Sequence, residues 1–418
     1  MAAAVAVIAT GCSSDRPEDG MPELRKYDEP SWQHTPYRSI AMDADTKAVV
    51  DRTGGFSFDF FREAMKLKDE NSAVSPASMS IAMAMVANGD SGESRDDVLR
   101  VLGFDPATAD IARLNDYCRI MLTELPKLDG RTVCRFANSF WHNPDLKVMK
   151  TFSDALGNVY SSDDIAVDPN GEKGMRCINR WVDNYTNGMI PEFLKEPLTA
   201  TDIFLINATY FKGKWATEFI EEESREGDFR NFGGSVSKAT FMHADRQMSH
   251  AKTDRVEAVS LPFGSGNFEF VAMLPTREEG FGELLRSVTY GEFKELTELM
   301  HSGQSAHVLL SFPKFQTDTD DDMNEVMRGL GLGDSFLRGF NAMVEGQQTF
   351  INKILQAVNI KVDEKGVEAA AATAFGMETS PGPDPSETIE MNFNRPFLYV
   401  IRETSTGTIL FMGKVTGF

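Results

Sequence analysis

Six histidines, His34, His142, His243, His250, His301 and His307, are scattered along the 418 residues, and none falls in an HExxH or HxH spacing that would aim two imidazoles at one metal. No GxSxG elbow raises a serine nucleophile, and no P-loop cradles a phosphate. The run GLGLG at 329–333 has the wrong spacing for a dinucleotide fingerprint and reads as a helix end, where glycine takes up the left-handed conformation. The acidic run DTDDD at 318–322 lacks the glycine and closing glutamate of a calcium loop, and reads as a helix N-terminus favouring negative charge. No nucleophile stands with a base, so the residues imply neither an enzyme, nor a metal, nor a cofactor.

The unusual chemistry is instead that of a backbone segment, DEKGVEAAAATAFGMETSPGPDPSETIEMNF at 363–393. Propensity alone would make EAAAATA a helix. With period two, one face carries Val367, Ala369, Ala371, Thr373, Phe375 and Met377 without a charge, while Glu368 and Glu378 share the other. Such a segment could become a buried central strand wherever a sheet opens to receive it. Gly366 supplies a hinge with wide backbone freedom, and Pro381, Pro383 and Pro385 cannot donate to a ladder, so pairing should stop before them.

The elements that must hold this segment are mixed. Phe56, Phe60, Phe61, Ala64, Met65 and Leu67 recur at helical spacing, and Ser78–Ala87, opened by Ser75-Pro76, is apolar all round and predicts a buried helix. Strands are predicted over Val133–Trp141, Asp202–Phe211, Phe268–Leu274, Ala306–Phe312, and Phe397–Arg402 with Thr408–Val415 as a hairpin around Thr406-Gly407. Without regular βαβ alternation, an α+β fold is expected.

The 42 Lys and Arg against 63 Asp and Glu leave a formal charge of -21, which repels phosphate backbones; nucleic acid and polyanion partners are not expected. Cys12, Cys118, Cys134 and Cys177 are too scattered for a disulfide scaffold, although a Cys118–Cys134 bridge stays open. The apolar opening MAAAVAVIATGC falls short of the ~20 residues that span a bilayer. Ala9, Thr10 and Gly11 before Cys12 resemble the end of a bacterial lipoprotein signal, which would make Cys12 the lipidation site and the sole membrane attachment. The alternative is an ordinary cleaved leader. Residues 1–12 then read as signal, 13–45 as a polar tether and 46–418 as one domain. An exported protein is expected, either a lipoprotein on the periplasmic or outer face of the outer membrane or a secreted one.

Several motifs in order resemble the serpin family: NSAVSPASMSIAMAMVANGDSGES at 71–94, INRWVDNYTNGMIPEFL at 178–194, INATYFKGKW at 206–215, FPKFQTDTDDDMNEVMRGLGL at 312–332, the hinge DEKGVEAAAAT, and FNRPFLYVIRETSTGTILFMGKV at 393–415. The resemblance implies the serpin fold, with three β-sheets, about nine helices and an exposed reactive loop within about 361–394. It implies a monomeric suicide-substrate inhibitor of a serine or cysteine peptidase, whose cleaved loop inserts into the main sheet while the peptidase is held as an acyl-enzyme. A non-inhibitory serpin-fold binding protein is the alternative.

Carried over by motif, the hinge comprises Glu364, Gly366, Val367, Glu368, Ala369, Ala370, Ala371, Ala372 and Thr373. Ser75, Ser78 and Asn207 would hold the central strands until they open, with Gln356 where the family commonly has histidine. Trp215 would pack where the loop enters, and Lys314 would pair with Glu364. The family's spacing from Glu364 places the scissile bond at Ser380-Pro381, whereas counting back from Phe393 gives Pro385-Ser386. Proline on the leaving side is refused by most peptidases, so the bait is expected among Met377, Glu378, Thr379 and Ser380.

Overall fold

The computed structural model describes residues 24, 32–66, 68–303, 305–350, 353–367 and 388–418. Cys12, Leu67, the hinge residues 368–373 and the scissile region Met377, Glu378, Thr379 and Ser380 lie outside the described residues.

The chain begins its body with helix α1 (Ala44–Met65), capped by the Asp43 carboxylate, and then strand β1 (Ser72–Val74). Helix α2 (Pro76–Ala87) starts where Ser75 accepts from the Ser78 amide and Pro76 sits in the first turn, where its missing N–H costs nothing. Every residue of α2 except Ala82 is buried, as an all-round apolar helix requires. Helices α3 (Glu93–Val101) and α4 (Ile111–Glu124) follow, then strand β2 (Thr132–His142), helix α5 (Lys150–Tyr160), strand β3 (Asp163–Ile165) and helix α6 (Gly171–Tyr185).

The second half is mainly strand: β4 (Ile203–Lys214), β5 (Arg225–Arg230), β6 (Val236–Lys252), β7 (Val256–Phe263) and β8 (Phe268–Pro275), interrupted by helices α7 (Phe281–Ser287) and α8 (Tyr290–Ser302). It continues with β9 (Ala306–Pro313), β10 (Phe315–Asp322), β11 (Leu355–Asp363), the two-residue β12 (Gly366–Val367), β13 (Thr388–Asn392), β14 (Phe397–Glu403) and β15 (Ile409–Val415).

A six-stranded sheet runs β10-β11-β12-β4-β2-β3, and the other strands follow the order β1-β15-β14-β8-β7-β6-β9-β13, with β5 also on β6. The 17-residue β6 serves two neighbourhoods: Phe241–Met248 pairs with β9, and Ser249–Lys252 pairs with β7. One long strand thus joins two sheets, which together with the six-stranded one give the α+β architecture. The β14–β15 hairpin closes on Glu403, fully buried because its carboxylate accepts from the backbone and hydroxyls of Ser405 and Thr406.

The structure alters the reading of the acidic run, decides the open question of the cysteines and adds to the picture of the tether. The DTDDD run is not a helix start but the end of β10: Thr317 and Thr319 point inward, Asp318 and Asp320 outward, and Asp322 alone serves the next helix, accepting from the Asn324 amide. The charges hid a period-two pattern carried by the threonines between them. Cys118 and Cys134 are not bridged; both are buried thiols, and Cys177 is also buried and outside any disulfide. The described end of the polar tether, 32–43, lies along the body, with the Trp32 ring under Lys212 and Lys214 and the Ile40 amide on Ser405.

Candidate functional site

The central feature is how β11 and β4 stand in the six-stranded sheet. Among the described residues, what lies between them is β12 alone: Val367 pairs with Val362 on one side and Gly213 on the other, Gly366 with Asp363 and Lys214. All these pairs are antiparallel. Gly366 has φ 149, and a Cβ there would collide with the Gly213 carbonyl oxygen, so only glycine fits so close an approach. Val367 is fully buried. The loop's flanks are strand rather than loop: Lys361–Asp363 belongs to β11, and β13 pairs in parallel with β9.

The turn at Asp363–Lys365 is clasped from several sides. Trp215, stacked on Phe263 at 4.6 Å, donates from Nε1 to the Asp363 carbonyl (2.8 Å) and from its backbone N–H to the Lys365 carbonyl (3.0 Å). The Phe219 amide donates to the Glu364 carbonyl at 2.9 Å. The Glu364 carboxylate accepts from Ser224 Oγ (2.6 Å) and faces Lys314 Nζ at 3.0 Å. Burial would raise the Glu364 pKa, but the Ser224, backbone and Lys314 hydrogen bonds outweigh it and hold the carboxyl below its ordinary value.

Farther down, a chain of hydrogen bonds crosses from β11 to β2 through the start of α2. Gln356 of β11 accepts from the Ser75 amide (3.0 Å) and donates to the Ser75 carbonyl (2.9 Å). Ser75 Oγ donates to the Leu410 carbonyl of β15 at 2.8 Å. Ser78 Oγ donates to the Asn207 side-chain oxygen of β4; Asn207 in turn donates to Asn138 of β2 (2.6 Å), and Asn138 to the Tyr160 carbonyl (2.8 Å). A cavity of about 70 Å³ lies beside this chain, among α2, the start of β4 and residues 349, 350 and 353–356.

Ser75, Ser78, Asn207 and Gln356 thus form one cluster, and Trp215, Lys314, Glu364 and Gly366 a second at the other end of the same strands. Sequence reasoning missed Asn138 and Ser224. Asn138 and Ser139 are adjacent buried polar residues set between the apolar pairs Phe136–Ala137 and Phe140–Trp141 of β2, a signal in itself. Ser224 gives none.

A family model described as Serpin (serine protease inhibitor) matches residues 51–417. The chain belongs to the serpin family. Among its relatives, Serpin B4 of Homo sapiens is 27% identical over 384 residues, covering 86% of this chain and 96% of that protein. Iripin-3 of Ixodes ricinus is 30% identical over 356 residues, covering 83% and 88%. Of solved structures, the thermophilic serpin tengpin in its native state superposes with a TM-score of 0.79 at 27% identity, covering 92% of this serpin and 97% of tengpin. Human thyroxine-binding globulin reaches 0.80 at 20% identity, covering 90% and 99%, a likeness of fold alone.

Proposed function

We propose that this serpin inhibits a serine or cysteine peptidase as a suicide substrate, its cleaved loop entering the main sheet between β11 and β4. The observation that carries the reading is β12, whose antiparallel register on both neighbours sets a path for the residues that follow. Continued strand-wise, that register would bring Ala369 between Ile360 and Phe211, and Ala371 between Val358 and Thr209. Thr373 would arrive between Gln356 and Asn207, the two side chains that now belong to the hydrogen-bond chain. Glu368, on the other face, would come between Lys361 and Lys212, an opposite-charge arrangement across strands. Met377 would come opposite Ile203, the first residue of β4, which favours a bait bond within Met377–Ser380.

In the proposed sequence the peptidase nucleophile attacks the loop carbonyl, the bond to the leaving amine breaks, and the acyl-enzyme travels with the inserting strand. The ladder bonds gained on both sides and the burial of the alternate face of the loop drive the movement. Incubation with a panel of serine and cysteine peptidases should give a covalent complex stable in SDS, and loop cleavage alone should raise the thermal unfolding midpoint strongly. Degradation with neither outcome would reject inhibition and leave a serpin-fold binding protein.

A further inference from the structure

Behind Trp215, on the side away from the Asp363–Lys365 turn, lies a cavity of about 540 Å³ walled by Tyr37, Trp215, Arg246, Glu269, His301 and Arg402. Its size is that of a small-molecule site. The charges on its wall do not balance. Glu269, 1% exposed, is fully engaged: it accepts from Arg402 Nε (2.6 Å) and from Ser260 Oγ, and faces His301 Nε2 at 3.2 Å. Burial acts to raise this carboxyl, yet its hydrogen bonds and the Arg402 charge hold it down at about 2. Its negative charge is therefore spent on Arg402.

Arg246 has no such partner. Its Nη1 donates to the Thr217 carbonyl (2.9 Å) and its guanidinium lies 5.2 Å from the centre of the Phe219 ring, both neutral neighbours. The nearby carboxylates are committed elsewhere: Asp245 pairs with His307 (2.7 Å) and Glu218 with Arg131 (3.9 Å). Burial draws the Arg246 pKa down to about 10, and among the described residues no carboxylate offsets it. An arginine held by its ring and carbonyl neighbours on the wall of a cavity, with no carboxylate among the described residues pairing with it, is a fork suited to an anion. On a chain of net charge -21, this local positive surplus is not a general surface property.

We propose that this cavity binds a small organic carboxylate, its charge on the Arg246 guanidinium and its apolar body along Trp215, Pro262 and Tyr37. The site stands independently of peptidase inhibition, and its test involves no peptidase. The full chain is titrated calorimetrically with 2-naphthoate and with 2-naphthamide, its neutral isostere. The acid should bind saturably at one site, and the amide about tenfold more weakly, the loss expected for a charge-assisted hydrogen bond. Arg246→Met should weaken the acid by about the same factor, and Arg246→Lys, which keeps the charge and loses the fork, by several-fold. Lys294→Met, in the neighbouring cavity lined by Ile40, Lys47 and Lys294, should change nothing. Absence of saturable binding, equal binding of acid and amide, or loss of binding in Lys294→Met would overturn the assignment. If Arg246→Met does not fold, Arg246→Lys decides: unchanged binding in that variant counts against the site.

Discussion

Glu364 shows how a single carboxylate ties the hinge. Its folded pKa lies below the ordinary value of 4.5, so the stability it contributes is complete above that value and is lost as pH falls through the folded one. Lys314 is 36% exposed along its side chain, which screens the pair, and a contribution of about 1 kcal/mol is expected at neutral pH. Glu364→Gln should therefore unfold at lower temperature than the wild type at pH 7, and the two curves should converge as the pH falls through the lowered folded pKa of Glu364; a gap independent of pH would mean that packing, not charge, matters there. Gln356 acts differently, because its amide both donates and accepts and does not titrate. Gln356→Ala leaves the Ser75 amide buried without a partner, while the Ser75 carbonyl keeps the Met79 N–H, which should cost about 1–3 kcal/mol in denaturant unfolding, with no pH dependence of its own between pH 5 and 8.

Elements explain what the sequence made legible. The buried α2, the strands β2 and β4, the β14–β15 hairpin and the α+β class follow from apolar periodicity, because burial wrote those patterns directly. β10 escaped because four aspartates in DTDDD outweighed the alternation of Thr317 and Thr319. The double service of β6 could not be read at all, since pairing with β9 and then β7 depends on strands distant in sequence. Of the site, motif resemblance placed Gln356, Ser78 and Asn207 near one another, but that Ser75 reaches the Leu410 carbonyl of β15 has no local signal. At the scale of the inserting strand, position decides the outcome of substitution. If insertion proceeds as proposed, Ala371→Arg would place a charge on the face that begins with Val367, and the variant should behave as a plain substrate, cleaved without complex and without thermal stabilisation. Glu368→Lys should leave insertion intact and slow it, since Lys361 and Lys212 would flank a like charge; gel quantitation of complex against cleaved product, with stopped-flow rates, distinguishes the two.

At the scale of the whole molecule, the described residues form two apolar cores. The larger joins α1, α2, α4 and most of the sheets; the smaller lies under α6 and gathers Cys177, Ile178 and Trp181 against Ala137, Ile206 and Ala208 of β2 and β4. Cys118 and Cys134 sit in the large one, where burial pushes the Cys118 thiol up to about 12 and the Cys134 thiol higher. None of the three thiols should react with a maleimide in the native state at neutral pH. On gentle warming, Cys177 should label first, because its core is smaller and opens with α6 alone; peptide mapping that finds all three labelled together would show one cooperative core.

The small core under α6 sets a compromise that no single residue reveals. In the proposed mechanism an inserting strand passes between β4 and β11 beneath α6, which packs on β2 and β4, so whatever tightens Trp181 and Tyr185 on Asp163 would lengthen the time this serpin keeps its uninserted form. In that mechanism the same tightening would delay capture once the bait is cut, giving the peptidase time to hydrolyse the acyl-enzyme and leave. Shelf life and trapping efficiency are therefore drawn from one helix, and selection for either moves the other in the opposite direction.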